Sequence, residues 1–302
     1  MTPRRGPILQ TSHGTNLEAF GTGEWAMFVV SALVFGSSFV LTSVALDDLH
    51  PGLVSTLRVA LGGATLALFP GSRRSIRRED RVHVAVLSLV WVVGPMTLVP
   101  IAQQWIDSGV AGMLAGAMPI AATVLASRLL RRRPRAHQMI GVAVGFVGVT
   151  FVSIPSLGDG ITAASGVGLM ILAVLCYAVA VNIAVPLQQR YGSLPIMARM
   201  LGVGTAVMAP YAVLSISGSS FTWRALGAVL ILGTVCTAMA YVLMGSLVGR
   251  AGSTRASFVA YLVPVVALGL GVGVLGEQVA PTAVAGIVLV TAGAFLASRR
   301  DA

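Results

Sequence analysis

The sequence predicts an all-α integral membrane protein, ten transmembrane helices arranged as two inverted five-helix repeats. Three observations lead there. Only 10 % of the 302 residues are charged and 56 % are hydrophobic, with a mean hydropathy of +0.89, whereas soluble domains carry roughly a quarter charged residues. Apolar runs close to the length that crosses a hydrocarbon core about 30 Å thick recur from Trp25 to the C-terminus. The arginines collect in every second break between those runs.

In chain order, residues 1–24 hold an Arg4-Arg5 pair but no apolar core and no small-residue cleavage site, so they read as a cytoplasmic tail rather than an export signal. Five apolar runs follow, at about 25–46, 51–70, 82–102, 108–127 and 137–155, and five more at about 166–186, 194–214, 224–248, 256–276 and 281–297. The first break, "DDLHPG" (47–52), has no arginine, and the second carries Arg73, Arg74, Arg77, Arg78 and Arg81. "QQWIDS" (103–108) is again free of arginine, and the next break carries Arg128, Arg131, Arg132, Arg133 and Arg135. The pattern continues: "PSLGDGITAAS" (155–165) has none, Arg190 precedes the seventh run, "SGSSFTW" (217–223) is bordered only by Arg224, Arg250 and Arg255 precede the ninth, "GEQVAP" (276–281) has none, and Arg299 and Arg300 close the chain. Basic loops stay in the cytoplasm, which places both termini there and fixes the number of crossings.

The net charge of +10 does not indicate nucleic acid, because almost all of the basic residues lie in breaks between spans. All of them are arginine, and Ala, Gly and Val dominate the chain, a composition of GC-rich bacterial genes. Cys176 and Cys236 fall inside spans and say nothing about redox compartment.

Sliding the chain over itself by 145 residues pairs Pro119 with Pro264, Gly141 with Gly286 and Gly148 with Gly293 without a gap. Each half holds five spans, and an odd number sends the second half into the membrane from the other side. Inverted repeats suit secondary transporters, whose halves exchange conformations around a central site.

The stretch "FVAYLVPVVALGLGVGVLGEQVAPTAVAGIVLVTAGAFLASR" (258–299), with its mid-helix proline, Gly276-Glu277 pair and glycine-punctuated last helix, resembles the EamA-type family of the drug/metabolite transporter superfamily. "GSSFVLTSVAL" (36–46) and "TLRVALGG" (56–63) are similar to that family's first and second helices. The resemblance implies two EamA-like halves, 25–155 and 165–300, and export of a small organic metabolite such as an amino acid or a drug-like compound across the bacterial cell membrane. In the first half "ASRLLRRRPRAHQ" (126–138) stands where the Gly-Glu pair would be expected.

Polar residues within the runs are the site candidates. Arg58 lies seven residues from Pro51; it either reaches Asp47, Asp48, Asp107 or Glu277 and locks helices together, or meets an anionic group of the cargo, and an in-membrane charge needs one or the other. Arg199, near a helix end, is expected to reach the interface. Asn182 needs a helix neighbour or a substrate as partner, and Tyr177, Trp91, Tyr241 and Tyr261 either line a cavity or pack. Pro119 and Pro264 are the expected hinges. The glycine-rich "GLGVGVLG" (269–276) reads as close helix packing.

A membrane-embedded enzyme or a non-transporting membrane protein is the alternative. Catalysis wants clustered His, Asp, Glu or Cys, and none is evident: no catalytic residue, metal site or cofactor is expected. The expected partners are a small-molecule cargo and the lipid bilayer, not nucleic acid, with the oligomeric state open between monomer and homodimer. The ten acidic residues all fall in tails, loops or span ends. Coupling through a deep carboxylate is therefore not expected, and Glu277 and Glu24 are the acidic residues nearest a span.

Overall fold

A computed structural model describes residues 22–129, 136–158, 161–251 and 259–298. Among them every regular element is a helix. α1 (Thr22–Leu46) and α2 (Pro51–Ala67) are joined by a short turn in which His50 caps α2, its Nδ1 accepting from Gly52 N at 3.2 Å, with Pro51 at the first helical position. Two short 3₁₀ turns, Pro70–Arg73 and Arg78–Asp80, lead to α3 (Arg81–Ser88) and α4 (Gly94–Ala102). α5 (Ser108–Ala115), α6 (Met118–Leu129) and α7 (Ala136–Gly158) complete the first half of the chain. The second half comprises α8 (Ile161–Tyr191), α9 (Ser193–Leu214), α10 (Trp223–Gly233), α11 (Ala240–Ala251), α12 (Val259–Leu275) and α13 (Pro281–Ser298).

Among the described residues six segments are long and apolar enough to cross a membrane: Trp25–Leu46, Arg78–Ala102, Ala136–Pro155, Ile161–Val181, Ser193–Leu214 and Trp223–Met244. Shorter apolar helices occupy Ser108–Ala122, Val259–Leu275 and Pro281–Leu296. Large apolar side chains such as Phe146, Val288 and Leu230 stand exposed on the outer surface, as lipid rather than water would favour.

Three of the expected continuous runs are locally reorganised. The run at 108–127 breaks between α5 and α6. Pro119 has no N–H to offer the carbonyl of Ala115, and the chain tightens there, with Gly116 N donating to Met113 O at 3.1 Å and Ala117 N to Leu114 O at 3.0 Å. Pro264, inside α12, sits against this break: a side chain at Gly116 would come within 2.6 Å of its ring. The two prolines expected as hinges thus lie at and beside one break.

The other two reorganisations are π turns, Leu89–Val93 between α3 and α4 and Thr234–Met239 between α10 and α11. In the first, Pro95 removes the donor for Trp91 O, and Gly94 N bonds to Leu89 O instead. In the second, Ala240 N reaches Val235 O, and the Thr237 hydroxyl donates to Leu232 O at 2.8 Å, filling an acceptor the backbone leaves open.

α7 and α13 approach so closely that their glycines meet backbone to backbone. A Cβ on Gly148 would lie 2.5 Å from Val290 N and 2.8 Å from Gly286 O, and one on Gly293 would strike Gly145 N and Gly141 O. The stretch 269–276 departs from the packing expectation. Gly271 does pack, against Glu277, but Gly269 and Gly273 have nothing within 4 Å of an added Cβ.

Candidate substrate site between the π turns

Arg58 lies on α2 and is 7 % exposed. The carboxylate partners expected for it are engaged elsewhere or out of reach: among the described residues Arg58 forms no ion pair. Its Nε donates to Thr237 Oγ1 in the second π turn at 3.0 Å, and its Nη2 donates to Ser38 Oγ on α1 at 3.2 Å. These use two of the five guanidinium N–H groups. Among the described residues Nη1 has no hydrogen-bond partner, so a buried cation is left there with no countercharge and with donors to spare.

Four of the six expected site residues converge here. Tyr177 on α8 and Tyr241 at the start of α11 lie within electrostatic reach of Arg58, as does Cys236, whose Sγ is 3.8 Å from Ser37 Oγ. Trp91, in the first π turn, meets Tyr241 edge to face with ring centroids 6.4 Å apart. Each π turn therefore contributes to the cluster, which accords with the frequent placement of such turns at functional sites.

Tyr261 is placed elsewhere. Its hydroxyl donates to Ala294 O at 3.0 Å and its ring meets Phe295, tying α12 to α13. Asn182 follows Tyr177 on α8, and its side chain lies outside the described residues. Arg199 donates to Ser72 O at 3.0 Å and Pro195 O at 3.2 Å, so it fastens the α2–α3 loop rather than ending free at an interface.

A cavity of about 290 Å³ leads away from the cluster, lined by Tyr241 and then by Leu66, Met197, Ser193 and Ser246, toward the end of the molecule that carries the α2–α3 arginines. At that end Asp80 Oδ2 accepts from Tyr191 Oη at 2.5 Å and from Arg190 Nη1 at 2.8 Å. The hydrogen bond to Asp80 pushes Arg190 further above its already high ordinary range.

The opposite end carries a row of polar contacts. Thr222 Oγ1 donates to Asp48 Oδ2 at 2.6 Å, Ser220 N to Asp48 O at 2.7 Å and His50 N to Ser219 Oγ at 2.9 Å, while Asp47 and Arg224 pair at 3.2 Å. Glu277 makes a second set. Gly276, at φ +69°, turns the chain after α12 so that the Glu277 carboxylate caps α5 from the other half, accepting from Ser108 N at 2.8 Å, Ser108 Oγ at 2.5 Å and Gly109 N at 2.9 Å. Gly109 and Gly271 leave room for it; a Cβ at Gly109 would come within 3.0 Å of Oε2.

Sequence reasoning missed Ser38, Thr237, Ser108 and Asp80 as working partners. Hydroxyls and a span-end carboxylate carry no spacing signal, and only the tertiary fold sets Thr237 opposite Arg58. Among the described residues no group of three or more His, Cys, Asp or Glu side chains could hold a metal ion.

Comparison with known proteins bears on what this arrangement serves. The model of the "EamA-like transporter family" matches the chain twice, over residues 23–154 and 164–299. A protein of Streptantibioticus cattleyicolor named "Probable terminal-alkyne amino-acid exporter" is 26 % identical, the match covering 91 % of this chain and 93 % of that one. A Salmonella typhimurium protein named "Probable amino-acid metabolite efflux pump" is 25 % identical over 91 % and 93 % of the two chains. A solved crystal structure shares the fold with a TM-score of 0.66 at 17 % identity, covering 91 % of this chain and 97 % of that one. With both halves matched by the same family model, the chain belongs to the EamA-like transporter family.

Proposed function

We propose that the protein exports small organic metabolites, amino acids or drug-like compounds among them, across the bacterial inner membrane, with Arg58, Tyr177, Trp91 and Tyr241 forming the site they pass. The observation that carries this is the buried guanidinium of Arg58, without an ion-pair partner among the described residues and within electrostatic reach of Tyr177 and Tyr241, the latter lining a cavity. A carboxylate on the cargo supplies the missing charge through a bidentate fork. The rings contact its apolar body.

The architecture we assign is ten spans in two inverted repeats, 25–155 and 165–300. Two features support it beyond the twofold family match. The π turns begin at Leu89 and Thr234, the same 145-residue offset found in the sequence. The glycine contacts cross-pair under that offset as a pseudo-twofold axis requires: Gly148 meets Gly286, and Gly293 meets Gly141. Pro119 and Pro264, at and beside the α5–α6 break, act as the hinge between the two access states.

The orientation follows from the arginines: termini and arginine-rich loops in the cytoplasm. The cavity below Tyr241 then receives cargo from the cytoplasm while the Asp48 and Glu277 contacts hold the outer side shut, as export requires. With Cys176 and Cys236 replaced by alanine, Ser75→Cys should be labelled by an impermeant thiol reagent only in permeabilised cells and Ser217→Cys also in intact ones. The reverse pattern inverts the topology.

Movement is down the cargo's own gradient, since every acidic residue lies in a tail, a loop or at a span end. The cargo leaves unchanged; the site performs no reaction on it. The test is a proteoliposome containing only this chain and loaded with a mixture of the common amino acids. Efflux above protein-free vesicles is expected, unaltered by an imposed pH gradient. No efflux of any component sinks amino acids as cargo, and uphill movement that is lost in Glu277→Gln makes the α5 cap a proton-coupling group.

A further inference from the structure

A second cavity, of about 370 Å³, lies at the arginine-rich end, lined by Arg74, Ser75, Ile76, Arg77, Arg190 and Tyr191. We propose that it holds the phosphate of an anionic phospholipid headgroup. The inference is independent of the transport site.

Four features of the pocket select that chemistry. Its charge is one-sided: three guanidinium groups line it, and no carboxylate does. Among the described residues Arg74 has no partner, and the Arg77 side chain meets only Glu79, at 3.5 Å with both side chains more than two-thirds exposed. Such a pair contributes little and gives way to a better anion. Arg190 is held in place by Asp80, so one of the three cations is positioned before any ligand arrives.

The walls are also built rather than loose. Ser72, Ile76 and Asp80 of the α2–α3 loop are all buried, Arg199 holds the Ser72 carbonyl, and Tyr191 Oη both accepts from Arg77 N at 3.4 Å and donates to Asp80. A cluster of arginines that served only to set topology would need no such scaffold.

The pocket stands just outside two candidate spans. The pocket joins the loop preceding the span Arg78–Ala102 to the end of α8, nine residues beyond the span Ile161–Val181. From the same loop α3 and the π turn after it show Val82, Val86 and Leu89, all exposed, a surface for acyl chains. Guanidinium groups grip phosphate oxygens through paired donors, and basic pockets between spans hold anionic headgroups in this way. Because Arg74 and Arg77 follow α2 whereas Arg190 and Tyr191 end α8, an occupant bridges the two halves of the chain.

The experiment uses the full chain in an uncharged detergent, with thermal unfolding and native mass spectrometry as readouts. Phosphatidylglycerol should raise the melting temperature by about 5 °C at saturation, and one such lipid should stay bound in the gas phase. Phosphatidylcholine should do neither. In Arg74→Ala/Arg77→Ala, whose side chains are exposed and make no contact among the described residues beyond the weak Arg77–Glu79 pair, apparent affinity for phosphatidylglycerol should fall at least about tenfold. Inorganic phosphate is the remaining arm: if millimolar phosphate alone gives the full shift, the lipid assignment is overturned and the pocket serves a soluble phosphate. Equal stabilisation by phosphatidylcholine, or an unchanged response in the double variant, overturns the proposal altogether.

Discussion

Arg58→Leu should bring amino-acid efflux from proteoliposomes down to the protein-free background while leaving the yield of folded, monodisperse protein within about twofold of the parent. Magnitudes decide this. A charge at mid-membrane depth costs about 2.5–3.5 kcal/mol on insertion scales. Interhelical hydrogen bonds in membranes return on average about 0.6 kcal/mol each, and at most about 1.7. The bonds from Arg58 to Thr237 and Ser38 therefore return about 1.2 kcal/mol on average and about 3.4 kcal/mol at most, no more than burial of the charge costs, and leucine, which removes both terms, is neutral or mildly favourable for folding. Thr237 keeps its bond to Leu232 O in either case. What leucine cannot supply is the cation facing Tyr177 and Tyr241. Arg58→Lys should retain part of the flux, since the charge survives and the fork does not. A folded yield that collapses together with flux would make the guanidinium a helix clamp and nothing more.

Gly293→Leu should act on folding instead, and severely. Its new side chain would meet the backbone of Gly141 and Gly145 on α7, and backbone cannot swing aside as a flexible side chain does. The helices have to separate along the whole α7–α13 contact, at a cost above the usual ~1–3 kcal/mol of overpacking. No monodisperse peak in detergent chromatography is the expected outcome. Gly273→Leu is the control: it adds the same volume to an exposed helix surface with nothing within 4 Å, so its yield should match the parent. Equal yields for the two variants would mean that the close approach of α7 and α13 is not needed for folding.

Much of this arrangement was legible in the sequence, and the remainder has a common reason for having been hidden. Arg58, Trp91, Tyr177 and Tyr241 stood out because each is polar or amphipathic within an apolar run, and the fold brings these four together. The paired glycines stood out because an offset of 145 residues repeats them, and they form the α7–α13 contact. Hydropathy could not locate the π turns. The first, "LVWVV" (89–93), is apolar on every side, and the second, "TVCTAM" (234–239), breaks its run only with two threonines and carries no charge, so a shift of helical phase leaves no trace in the pattern. The partners of Arg58 were misjudged because the reasoning sought opposite charge near in depth, whereas the fold supplies hydroxyls. The Gly276-Glu277 pair was recognised as a family feature, but its cap on α5 joins residues about 170 positions apart, a separation that no local pattern spans.

The π turns also determine how the site can change over generations. Each is a helix carrying one residue more than its hydrogen-bonding needs, and α-helical residues advance about 100° apiece around the axis. Deleting a single codon between Thr234 and Met239 would restore the ordinary register and rotate Tyr241 about a quarter-turn away from Trp91 relative to α10, without altering Tyr241 or Trp91 itself. Members of such a family can thus exchange the lining of the cargo path by one insertion or one deletion, while the lipid-facing surface on the preceding helix keeps its place.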